Sequence, residues 1–196
     1  MAKLLYQGHG SLRIVTDAGT VIYVDPFAGE GYDLSADLIL VTHQHHDHNA
    51  VDRMPHASGC VIITEKEALA DGKYNHFTFG DVAAFAVEAF NKNHPRSSCV
   101  GYVLAVAGKK VYFAGDTSTT NDMQKMASLG LDWAFLPIDG IYNMDHVEAE
   151  KCAAVIGAKK TVPIHMKPGA LFDEAMAESF NVPDRLILRP GEEITL

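Results

Sequence analysis

Residues 37–48 read DLILVTHQHHDH. The run Leu38 to Val41 has the continuous apolar character of a strand covered on both faces, and it passes directly into four histidines and an aspartate within six positions. Few placements suit such a junction. An interior strand delivers the polar cluster to the carboxyl edge of its sheet, and in open α/β sheets that edge borders the crevice where ligands bind. On extended backbone the side chains at i and i+2 share a direction, so His43 and His45 can converge on one ion while Gln44 points elsewhere. A turn into helix at DHNAVDRM would put Asp47 and His48 on a first helical turn, within reach of a second ion. Imidazole nitrogen and carboxylate oxygen are both zinc ligands, and a catalytic zinc keeps one position for water. A solvated, pH-sensitive patch is the competing reading of a bare His-x-His. The buried strand ahead of the cluster and the Asp-His pair inside it favour the metal.

Around this junction, short β-branched and aromatic runs are separated by turn residues. KLLY, LRIVT, TVIYV, DLILV and CVIIT in the first part, then AAFAVEAF, CVGYVLAVAGKKVYFAG and WAFLPI, read as strands. The DAG between the second and third runs is a hairpin-type signal. Helical patterns fall at EKEALAD, TTNDMQKMASLG, DHVEAEKCAAVIG and DEAMAESF. Asp145 followed by Glu148 has the spacing of a capping box, and Gly157 closes that helix. Many half-buried strands need a second sheet, and helical stripes need a face to cover, so two packed sheets with helices outside satisfy the order. No repeat or linker divides the sequence, and one domain over 1–196 is expected.

The 196 residues are 47% hydrophobic and 21% charged, the balance of a globular chain that can bury roughly 70% of its unfolded surface. No apolar run approaches the ~20 residues that cross a bilayer, and the start lacks a signal-peptide core, so a cytoplasmic location without membrane attachment is expected. Cys60, Cys99 and Cys152 are too scattered for a disulfide framework or a zinc knuckle. A net charge of −9 disfavours polymeric nucleic acid, which is held mainly by Lys and Arg. Bound dications would reverse the sign locally and still attract a small anionic substrate.

The spacing His-x-His-x-Asp-His resembles the signature of the metallo-β-lactamase superfamily. Later apolar runs end in His94 (NKNHPRSS), Asp116 (FAGDTST) and His165 (VPIHMKP), in the order that family uses. The resemblance implies an α+β fold, an αββα sandwich of two mixed sheets packed face to face with helices outside. It also implies a ligand set: His43, His45 and His94 on one metal, Asp47, His48 and His165 on the other, with Asp116 bridging. Gly8-His9-Gly10-Ser11-Leu12-Arg13-Ile14 and the turn Asp25-Pro26-Phe27 are similar to the small metal-dependent hydrolases related to the ascorbate-phosphate lactonases. Diiron flavoproteins of the superfamily carry glutamate at the position of His45, and the commonest zinc β-lactamases carry cysteine at that of Asp116. Both departures turn the expectation toward two-metal hydrolysis.

Two ions ~3.5 to 4 Å apart can share a water, bring its pKa toward neutrality and polarise a carbonyl or phosphoryl oxygen. Zinc is expected, although iron and manganese accept the same ligands. Asp47 is the candidate proton shuttle. His9 and Asp25 follow early strands and can orient metal-binding imidazoles, or simply shape turns. Arg96 and Lys167, each two residues beyond an expected ligand, could clamp a phosphate or carboxylate, or stand as rim charges. Tyr142 could meet a developing oxyanion or pack its loop. His46 has the wrong parity for a ligand; His56, His76 and His146 read as surface groups, and Cys99 and Cys152 as packed thiols. The expected reaction is hydrolysis of a small anionic ester, lactone or phosphodiester. The alternatives are a nuclease or cyclic-nucleotide phosphodiesterase, and a non-catalytic metal-binding scaffold; a homo-oligomer is left open.

Overall fold

The computed structural model describes residues 1–196, in two six-stranded sheets. The first half supplies β1 (Ala2–Gly8), β2 (Ser11–Thr16), β3 (Val21–Val24), β4 (Ala36–Leu40) and β5 (His56–Ile63). Of these, β1 to β3 form an antiparallel meander, and β4 and β5 then add in parallel. The second sheet holds β6 (His76–Phe79), β7 (Val82–Glu88), β8 (Val100–Val106), β9 (Lys109–Phe113), β10 (Trp133–Pro137) and β11 (Lys160–Ile164). Here β7 to β9 form the meander, and β10 and β11 are parallel. The C-terminal β12 (Glu193–Thr195) flanks β1 as β6 flanks β7. The two halves therefore share one pattern of pairings, although no repeat is visible in the sequence. Neither β6 nor β12 was expected, because these edge strands are only four and three residues long, too short for their alternation to stand out.

Period-two alternation decides which side chains meet between the sheets. Leu4, Tyr6, Leu12, Ile14, Ile22, Leu38 and Leu40 face Tyr102, Leu104, Val111, Phe113, Phe135 and Val162 in one core of 25 buried residues. The opposite face of β4 is buried too: Ile39 and Val41 pack with Val21, Tyr23 and Met54. The strand ahead of the histidines is thus covered on both sides, as its unbroken apolar run requires.

Helices cover the two outer faces unequally. α2 (Asn121–Met126), α3 (His146–Ile156) and α4 (Glu174–Ser179) put Met123, Met126, Cys152, Ile156 and Ala177 against Tyr112, Ala134 and Leu136 of the second sheet. The first sheet's outer face is covered instead by Tyr32 and Leu34 from a loop and by Val51 from a single 3-10 turn. EKEALAD makes one short helix, α1 (Glu65–Ala68), whose Ala68 joins the central core. Asp145 caps α3 by accepting from Glu148 N at 2.7 Å. The reciprocal half of the expected box is absent, because the Glu148 carboxylate accepts instead from Thr119 N and Oγ1, both at 2.8 Å. No helix is long and apolar enough to cross a membrane.

Candidate metal centre

Every expected ligand lies in a loop at one edge of the sandwich, where β3, β4, β9, β10 and β11 end and the β1–β2 and β7–β8 connections turn. The close approach of the two sheets there depends on Gly115. At φ +64° a Cβ on this residue would stand 2.9 Å from Val100 O and 3.0 Å from Thr42 Cβ. Only glycine lets the Gly-Asp-Thr turn lie against the start of the histidine cluster. Backbone strain concentrates at the same edge. His9 (φ 54°), Asp25 (φ 45°) and His165 (φ 45°) are three of the five non-glycine residues with positive φ. Each conformation costs roughly 1–2 kcal/mol. Hydrogen bonds offset it: the His9 carbonyl accepts from His165 N at 2.9 Å and from Tyr6 Oη at 3.0 Å.

Three imidazoles are oriented by the same device, a hydrogen bond at Nδ1. His48 Nδ1 is 2.8 Å from Asp25 Oδ2. His94 Nδ1 is 2.9 Å from Asn91 Oδ1, an oxygen that also accepts from the amides of Asn93 and His94. The Thr42 hydroxyl donates its proton to Asp25 Oδ2, and its oxygen therefore accepts from His43 Nδ1 at 3.0 Å. His165 Nδ1 lies 2.9 Å from Asp139 Oδ2, a close contact that does not have the geometry of a hydrogen bond. For His43, His48 and His94 the outward contact holds Nδ1 as the donor, so the inward Nε2 is the atom that would give its lone pair to a metal.

Those inward atoms surround Asp116. The Nε2 atoms of His43, His48 and His165, with Asp116 Oδ1, are buried and have no hydrogen-bond partner. Such orphans are rare in folded proteins and point to an absent ligand. Bonds of 2.0–2.2 Å in a tetrahedral site put neighbouring donor atoms about 3.3 Å apart. The observed spacings match: His45 Nδ1 to His94 Nε2 is 3.2 Å, His94 Nε2 to Asp116 Oδ2 is 3.2 Å, His48 Nε2 to Asp116 Oδ1 is 3.3 Å and His165 Nε2 to Asp116 Oδ2 is 3.5 Å. Possible ligand atoms fall into the groups His43, His45, His94 and His9, Asp47, His48, His165, with Asp116 joined to His43 and His48. The residues present fit a pair of divalent cations.

Electrostatics follow from the crowding. Burial, with the charge of His48, pushes His43 down to about 2. His48 goes the other way: burial opposes its charging, but the carboxylates of Asp116 and Asp25 overcome that and carry it up to about 9. Burial would also raise Asp116, yet the ring of His48, His165, His43 and His94 holds its carboxyl well below the ordinary range. Asp47 is likewise depressed, the hydrogen bond from His9 and the charge of His48 outweighing burial.

Residues 3–165 match the model of the beta-lactamase superfamily domain. The chain belongs to the beta-lactamase superfamily. A UPF0173 metal-dependent hydrolase of Ligilactobacillus salivarius is 34% identical, over 83% of this chain and 84% of its own. A namesake from Thermus thermophilus is 32% identical over the whole of both chains. That alignment runs over 225 positions against 196 residues here, so the relative carries insertions that this chain lacks. The solved structure of a protein assigned as a metal-dependent hydrolase, from Parabacteroides distasonis, has 30% identity and a TM-score of 0.73, covering 93% of this chain and 90% of that one. These relatives assign the chain to the metal-dependent hydrolase branch of the superfamily.

In this superfamily member the seven expected ligands converge, while other expectations change. Asp47 and His48 do not start a helix. Residues 44–50 form successive turns, His48 N bonding His45 O at 3.0 Å, and only Val51–Arg53 makes a single 3-10 turn. Arg96 is no clamp: buried Glu88 pairs with its guanidinium, which also lies 3.8 Å from the Phe90 ring centroid. Lys167 points to solvent, 3.5 Å from Asp173. His9 and Asp25 do support the cluster, His9 Nε2 lying 3.2 Å from Asp47 Oδ2. Tyr142 lines the cavity over the site, about 370 Å³ in volume, together with Phe27, Asn93 and Pro168. His46 is exposed, edge-on to Phe27. Cys99 is packed, its thiol donating to Asp116 O. Sequence reasoning missed Asp139, Asn91 and Thr42. Asp139 had a signal: it follows WAFLPI as Asp25 follows TVIYV.

Proposed function

We propose that this protein is a binuclear metallohydrolase. His43, His45 and His94 would hold one divalent ion, Asp47, His48 and His165 the second, and Asp116 both. Zinc suits the donor set best; iron and manganese accept it as well. One observation carries the reading: His43, His48 and His94, each oriented through Nδ1, and His165 turn their inward nitrogens on one buried carboxylate. The ions would supply Lewis acidity at the scissile carbonyl or phosphoryl oxygen and an acidified water as nucleophile.

The chain's own groups supply the rest. Asp47 has Oδ2 against His9 and is partly exposed to the cavity, so it can accept a proton from the attacking water and release it toward the leaving group. Its depressed pKa keeps it ionised between turnovers, and the proton stays only transiently. Tyr142 offers a hydroxyl at the rim, where oxyanion charge would develop. The Asn93 side chain holds that loop by donating to Tyr142 O at 3.1 Å.

The substrate we propose is a small ester, lactone or phosphodiester. No Arg or Lys lines the cavity, so the ions themselves are the positive charge that draws an anion to the reacting end. A polymeric nucleic acid would find no basic surface at this mouth. The free thiols, Cys60, Cys99 and Cys152, agree with a reducing compartment, and we place the protein in the cytoplasm.

The test is elemental analysis of the purified protein, followed by a panel of chromogenic esters, lactones, thioesters and phosphodiesters. About two metals per chain with turnover of a small ester or lactone is the expected result. Stoichiometric metal with no turnover would favour a scaffold, and activity restricted to polymers would favour a nuclease.

A further inference from the structure

The cavity over the metal centre does not end at Phe27. His9, Phe27 and Gly169 also line an adjoining cleft of about 290 Å³, whose other walls are Ala28, Gly29, Arg53, Ala170 and Leu171. The near part of this cleft is apolar, and Leu171 is 47% exposed along it. Gly29 packs closely on the end of β1, where a Cβ would stand 1.7 Å from Gln7 O.

Arg53 stands in this cleft with its charge uncompensated. Of the five arginines, Arg13, Arg96 and Arg189 pair with carboxylates. Arg185 donates to the carbonyls of Glu178 and Phe180. Arg53 has no carboxylate within 4 Å; it gives one hydrogen bond, from Nη2 to Gly29 O at 2.7 Å, and lies 4.8 Å from the Tyr32 ring centroid. Those two contacts fix the guanidinium and leave Nε and Nη1 free. A cation held by stacking and one carbonyl loses little freedom on binding an anion. It also sits on the 3-10 turn that follows the histidine cluster directly, so one short segment carries both the expected ligands and this charge.

We propose that the Arg53 cleft is a second subsite, which binds an anionic end group of the substrate, a carboxylate or phosphate, while the scissile bond lies at the metal centre. The apolar stretch across Phe27 and Leu171 takes the short carbon chain between the two ends. This deepens the hydrolase reading and rests on it: the substrate becomes an ester or lactone with a remote anion. It also supplies the cation that Arg96 and Lys167 do not bring to the site.

The test is binding, independent of turnover. Hydroxamates chelate protein-held zinc, so a series with increasing chain length, ending in carboxylate, phosphonate or uncharged amide, would be titrated calorimetrically into the zinc-loaded protein. At one chain length an anionic end should bind about tenfold more tightly than the amide, an advantage that shrinks with added salt. The arm with the larger advantage says whether carboxylate or phosphate is the natural end group. Arg53→Gln should remove the preference and Arg53→Lys should keep part of it, with amide affinity within about twofold in both. Equal affinity for charged and uncharged ends at every length, or a preference that survives Arg53→Gln, would overturn the subsite and leave the metal centre standing. No binding of any hydroxamate would overturn the metal reading and the subsite with it.

Discussion

Asp25 and Asp116 occupy the same place in the two halves of the sandwich, each in the turn where the last strand of a meander gives way to the parallel strands. Both are buried aspartates at one edge of the molecule. Their surroundings differ. The Asp25 carboxylate accepts from Thr42 N and Thr42 Oγ1, both at 2.7 Å, and from His48 Nδ1 at 2.8 Å. Asp116 Oδ1 has no hydrogen-bond partner, and its carboxylate faces the inward nitrogens of His48, His94 and His165. A satisfied buried carboxylate holds structure in place, whereas one left without a hydrogen bond among imidazole nitrogens marks a place for a cation. Position in the fold does not separate the two roles; the donors around each do.

Substitutions should separate them in order of size. Asp116→Ala should empty at least one metal position and lower turnover by about a thousandfold or more, with only a modest change in the melting temperature of the metal-free protein. Elemental analysis beside a thermal melt checks both parts; retention of two metals would remove the contrast. Asp25→Ala should do the reverse, costing about 3–5 kcal/mol of stability because the Thr42 amide and hydroxyl and the His48 ring lose their shared acceptor. Metal affinity should fall by about 10–100-fold as His48 loses its orientation. Denaturant unfolding and chelator competition measure the two effects.

A pH series on metal-free protein probes the same pair. His48 titrates at about 9 when folded and near ~6.5 when unfolded. Its stabilisation is therefore complete below pH 6.5 and is lost as the pH rises through 9. His43, folded at about 2, acts oppositely, because below pH 6.5 the unfolded chain takes a proton that the folded one refuses. The melting temperature should peak near pH 6.5 and fall by roughly 4 °C or more by pH 9. Asp25→Asn should flatten that alkaline limb. Saturating zinc should reverse it, since the ligands bind metal only when deprotonated. An alkaline limb unchanged by Asp25→Asn would show that Asp25 does not hold the proton on His48. The smallest effects belong to the two cations that face away from the cavity. Arg96→Gln and Lys167→Gln should change turnover by less than about twofold, the first costing about 1–2 kcal/mol because buried Glu88 loses its partner, the second within about 0.5 kcal/mol. A large rise in KM in either variant would restore the clamp.

Much of the fold is legible in the sequence. The unbroken run before Thr42 required an interior strand, and parity then separated His43 and His45 from Gln44 and His46. Asp145 and Gly157 marked the ends of α3 correctly. Local rules failed where a distant group competed for the same atoms. Thr119 took the Glu148 carboxylate that would have completed the capping box. Turns stitched by backbone hydrogen bonds replaced the helix expected at Asp47. The edge strands β6 and β12 owe their form to the neighbours they pair with, β7 and β1.

The sequence by itself determined the interior strands, the edge at which polar residues gather, and the order in which the candidate ligands arrive, because periodicity and turn chemistry are properties of neighbouring residues. Only the tertiary structure decided which of two buried aspartates is satisfied, that Arg96 is held by Glu88 and Lys167 faces solvent near Asp173, and that Arg53 is left unpaired beside the cavity. Those outcomes depend on where a side chain finds its partner across the fold. For Asp116 the imidazoles that surround it come from positions 43 to 165, and no local pattern contains that distance.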